Sequence, residues 1–74
     1  MVLSELKNGQ AATIGRLPVG RQVQRRLFEI GLAPGVRVEM LSRHPFHGPV
    51  VVKVNNSRVV IGRRVAAQVE VEVC

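Results

Sequence analysis

Seventy-four residues hold one small domain, and 46% of them are hydrophobic, chiefly valine, so an aliphatic core must do the work of folding. Two phenylalanines with no tryptophan or tyrosine exclude a groove of stacked aromatics, whether for bases or for proline-rich ligands. The formal charge of +6 predicts a basic face toward an acidic protein surface, nucleic acid or anionic lipid, set against the plain alternative of a solvated surface.

Leu3 and Leu6 bracket Ser4-Glu5 in a short amphipathic start that tucks both leucines under a sheet, and Asn8-Gly9 marks a turn. Ala11 to Leu17 reads as the first strand, with Ala12 and Ile14 on one face and Gly15 at a bulge or close backbone approach. Pro18 ends it. A helix follows from near Gly20 to Ile30, with no good N-cap ahead of it. Val23, Leu27 and Ile30 recur at i, i+4 and i+7, which sets them on one apolar stripe facing a sheet, while Arg21, Arg25 and Glu29 line the other side.

Gly31 stands where the residue after a helix C-cap takes positive φ, and Leu32 follows as the residue that packs back on the last turn. Pro34-Gly35 suits the centre of a type II turn that starts a strand near Val36. Val36, Val38 and Met40 point inward there, and Arg37 and Glu39 outward. His44 to Pro49, with two prolines and a glycine, is a surface loop. Val50–Val54 and Arg58–Ile61 flank a tight hairpin at Asn55-Asn56-Ser57. Gly62 to Gln68 holds one helical turn, and Val69, Val71 and Val73 alternate with Glu70 and Glu72 in a closing strand. Five short strands with one helix favour a small closed barrel, since closure removes the edges a valine-rich sheet exposes. A sheet covered by a single helix is the alternative.

Leu3-x-x-Leu6-Lys7-x-Gly9-Gln10, Ile14-x-x-Leu17, Arg26-Leu27-x-Glu29-Ile30-Gly31-Leu32-x-Pro34-Gly35, the prolines Pro45 and Pro49, and Ala66-x-x-Val69-x-Val71 together resemble the FeoA family of ferrous iron transport accessory proteins. The resemblance implies a mainly β fold: an SH3-like barrel of about five strands, one helix after the first strand and a short helical turn before the last. It also implies a cytoplasmic protein that supports FeoB, the membrane Fe²⁺ transporter with a GTP-binding domain, and a relation to the carboxy-terminal domain of iron-dependent repressors. With a start at Met1, no helix-turn-helix or metal-sensing domain of such repressors is expected. Two departures stand out: Gly62-Arg63-Arg64 is followed by Val65 where the family commonly has an acid, and the hairpin tip is Asn55-Asn56 where it often has glycine.

Candidate chemistry is sparse. His44, His47 and Cys74 are the soft-metal donors, and a tight site wants three or four of them converging, so solvent-facing histidines with adventitious binding are the expectation, and a metal-responsive sensor the alternative. No cofactor is expected. The sequence has no aspartate and no phosphate-binding loop, and Ser4, Ser42 and Ser57 lack evident triad partners, which argues against an enzyme. The single cysteine and the absence of a signal peptide suit a cytoplasmic chain. Phe28, one position off the stripe, is expected in the core. If exposed, it forms with Arg21, Arg25 and Arg26 an apolar anchor in a basic rim, the composition of a protein-docking patch, and Phe46 is a second such anchor. Leu27, Ile30, Gly31, Leu32, Pro34 and Gly35 are structural. The expected partner is FeoB, with the membrane reached only through it and self-association left open. A free-standing basic module for nucleic acid or an anionic membrane surface is the competing reading, and its affinity would fall steeply with salt.

Overall fold

In a computed structural model, which describes residues 1–44, 46 and 48–74, the chain forms five strands, two α-helices and one 3₁₀ turn. A 3₁₀ turn at Leu3–Glu5 precedes β1 (Ala11–Arg16), α1 (Arg21–Glu29), β2 (Arg37–Arg43), β3 (Val50–Val54), β4 (Ser57–Ile61), α2 (Arg63–Ala66) and β5 (Glu70–Val73). All strand pairs are antiparallel, in the order β4-β3-β2-β1-β5. This is the expected barrel in outline, with one correction. The hydrogen-bonded ladder is not closed, because β4 and β5 are not paired with each other and remain its two ends.

The β5 end is nevertheless covered. Met1 carbonyl oxygen accepts the Val71 N–H at 2.8 Å, the Leu3 N–H reaches Val69 carbonyl oxygen at 2.8 Å, and Val2 bridges to Glu70. Those bonds carry Leu3 and Leu6 into the interior, both fully buried as expected. Alternation along the strands does the rest: Ala12 and Ile14, Val38 and Met40, Val50, Val52 and Val54 all point inward. No polar or charged side chain is buried among the described residues. Val73, at the end of β5, departs from the expected inward register and is exposed.

Local chemistry explains the joints. Register shifts between Ile14 and Arg16 mark the bulge foreseen at Gly15. At the end of α1 the Leu32 N–H bonds to Leu27 carbonyl oxygen at 2.8 Å and the Gly31 N–H to Phe28 carbonyl oxygen at 3.0 Å, the paired bonds of a Schellman motif with Gly31 at φ +93°. Gly35 at φ +89°, with the Val36 N–H on Ala33 carbonyl oxygen, completes the type II turn. That turn docks on β1, for Ile14 exchanges bonds with Gly35 and Val36. The helix start has no side-chain cap, and Gln24 Nε2 instead tethers it to Pro18 carbonyl oxygen at 2.8 Å. Among the described residues no helix is long and apolar enough to cross a membrane.

Candidate functional site

One stretch of surface combines exposed apolar side chains with positive charge, and it lies where α1 runs beside β4. Val23 and Leu27 turn toward the sheet, Leu27 buried and Val23 partly so, while Ile61 and Val65 close the floor from β4 and α2. Between them is a groove of about 470 Å³, walled by Gln22, Arg26 and Ile30 on the helix and by Val60 and Gly62 on the other side. Among the described residues no carboxylate lines it.

Two of the stripe assignments are corrected here. Phe28, expected in the core, is 54% exposed, and Ile30, expected on the buried stripe, is 42% exposed. For Ile30 the reason is the helix end, where the chain turns back at Gly31 and Leu32 is the residue that becomes fully buried. Ile30 has already left helical geometry, with φ −95° and ψ 8°. Phe28 stands on the surface beside Arg21 and Arg25, whereas Arg26 lies around the helix on the groove side, which Phe28 does not line. Arg25 makes a loose contact with Glu29 at 4.0 Å between two exposed side chains, so it still presents its charge to solvent.

Phe46 does not join this patch. It is 81% exposed in the loop before β3, whereas the α1 terminus lies at the other end of that strand, where a Cβ on Gly31 would stand 3.5 Å from Val54 Cγ1. The length of β3, on the order of 13 Å for four steps, separates them. The soft-metal donors are dispersed too. Cys74 is exposed beside Ala11 and Thr13, and Ala11 lies across from Glu39, five residues before His44. His44 is exposed and its Nδ1 accepts the Phe46 N–H at 3.4 Å. His47 lies outside the described residues, and among those described no three His, Cys, Asp or Glu side chains converge.

Sequence reasoning missed Val60, which is 64% exposed and forms the outer lip of the groove. Its signal was present: in Arg58-Val59-Val60-Ile61, Val60 falls at an outward position of the strand, where a polar residue is usual.

The FeoA domain family matches residues 1–73. Among solved structures, the crystal structure of an iron uptake regulatory protein, FeoA, is 30% identical, covers all of this chain with 97% of its own covered, and superposes with a TM-score of 0.93. FeoA from Stenotrophomonas maltophilia, crystallised with zinc, is 29% identical over 97% of this chain and 89% of its own, with a TM-score of 0.80. It is described as a prokaryotic SH3 domain protein and a candidate ferrous iron transport activating factor. A manganese-dependent transcriptional repressor shares the fold alone, at 24% identity and a TM-score of 0.90, over all of this chain but 36% of its own. No match was found among curated proteins. The sheet, the inserted helix and the short helical turn are thus those of an SH3-like domain, and with the match running from end to end the chain belongs to the FeoA family.

Proposed function

We propose that this accessory protein of ferrous iron transport acts without catalysis, docking from the cytoplasm on the cytoplasmic part of FeoB, the GTP-binding Fe²⁺ transporter, and modulating uptake there. Family membership supplies the transport role. The observation that carries the docking reading is the outer surface of α1, where Phe28 is exposed beside Arg21 and Arg25, while Ile30 and Val60 are exposed beside Arg26 in the groove on the other side of the helix. Exposed aromatic and aliphatic anchors ringed by arginine have the make-up of an interface core with its rim. Positive charge around an apolar centre speeds encounter with an acidic partner and fixes its orientation.

The test is co-purification of the full chain with its host's FeoB in detergent, with and without guanine nucleotide. Retention of FeoB is expected, falling by about tenfold or more for Phe28→Ala, as for a truncated interface anchor. Absence of association under both nucleotide conditions overturns the reading.

A further inference from the structure

The free side of β4 borders the groove, and its backbone is unpaired. Asn55 and Asn56, at φ +50° and +67°, form the two-residue type I′ turn between Val54 and Ser57. Val54 and Ser57 are then the hydrogen-bonded pair next to the turn, and the alternation of an antiparallel ladder gives Ser57, Val59 and Ile61 to β3. The N–H and C=O groups of Arg58 and Val60 point the other way. No strand lies beyond β4, and among the described residues neither pair of groups finds a hydrogen-bond partner. A sheet edge left bare in this manner is a template for one more strand.

What fits there is set by the opposite wall. α1 stands across the groove from Val60 and Gly62, so a chain added to β4 would run between that edge and the helix. Side chains of an added strand alternate between two faces. One set meets Val23, Leu27 and Val65 on the apolar floor, and the other runs along the face of β4 that carries Arg58, with Arg26 on the facing wall and Arg63 next to Gly62 at the groove's end. None of these three forms an ion pair among the described residues, so carboxylates are the complement. A second copy is the wrong occupant, because pairing β4 with β4 sets arginine-bearing edges against each other. We infer that the groove binds an extended segment of alternating acidic and apolar residues, which adds to β4 as a further strand. This rests on the docking reading only for the protein that carries the segment.

The experiment follows amide hydrogen exchange by NMR in the full chain during titration with the synthetic peptide acetyl-Glu-Val-Glu-Val-Glu-amide. The amides of Arg58 and Val60 are expected to exchange about tenfold more slowly at saturation, with no such slowing by the peptide carrying Lys for Glu. Protection confined to other residues, equal protection by the basic peptide, or no protection up to about millimolar peptide overturns the inference. So does protection of those two amides in the free protein that disappears on dilution, which would identify a second copy. Val60→Pro removes one outward N–H while leaving the bonds to β3, and is expected to weaken the peptide by about tenfold, whereas Val60→Ala, which keeps the N–H, stays within about threefold. Equal losses in the two variants count against strand addition. If the peptide fails to protect those amides while FeoB is still retained, strand addition falls and docking stands. If the unaltered chain binds the peptide with the stated protection but never retains FeoB, strand addition stands and docking falls.

Discussion

Replacing Gly31 isolates the cost of a backbone conformation. A Cβ there would meet Val54 Cγ1 at 3.5 Å, an ordinary contact, so Gly31→Ala is penalised through its φ of +93° and not through a clash. The expected loss is about 1–2 kcal/mol of unfolding free energy, read by denaturant titration. Leu32→Ala removes a fully buried side chain, and about 2–5 kcal/mol is expected in the same measurement. Both positions were legible in the sequence, because glycine followed by leucine after a helical period obeys rules local to a few residues. Ile30 was not. It is the C-cap residue and has left helical geometry, so a period extrapolated one step past the helix misplaces it.

On the scale of one element, α1 is a nine-residue helix held by a narrow contact, mainly Leu27 with Val23 beside it. The stripe predicted its orientation, but the width of the buried strip depended on how far the sheet extends beneath it. Phe28 lies just outside that limit, so Phe28→Ala is expected to change stability by no more than about 0.5 kcal/mol, where a core phenylalanine would lose about 3–5 kcal/mol. Thermal or chemical unfolding of the variant separates the two, and a core-sized loss would mean that Phe28 is buried in solution. The strands themselves were legible to within a residue or two, since β-branched alternation and turn chemistry mark their ends. Which strands form the ends of the sheet was not, because β4 and β5, though consecutive, are joined through α2, and where that turn carries the chain is decided by packing and not by a local signal.

For the molecule as a whole, eleven basic against five acidic residues leave positive charge that internal pairs barely offset. Arg16–Glu70 and Arg25–Glu29 are exposed contacts at 3.9 and 4.0 Å, of little consequence for stability. The excess is therefore available to a partner, and its signature is ionic strength. Raising salt from about 0.05 M to 0.5 M shortens the Debye length several-fold, so FeoB association measured by surface immobilisation is expected to slow markedly in its on-rate. An on-rate indifferent to salt would remove the arginines from recognition. Charge balance was legible at once, whereas the placing of Arg26 on a groove wall opposite β4, the strand that carries Arg58, needed the fold.

The anchoring of residues 1 to 3 along β5 makes the sheet's two margins unequal. One is already sealed by the protein's own backbone, and the other stands bare. Lengthening of the sheet can thus proceed in a single direction, and a guest accepted at β4 finds no matching margin on the next molecule through which to propagate. Such a geometry implies one-to-one stoichiometry and resistance to fibre formation, so a valine-rich protein can keep a sticky rim without polymerising.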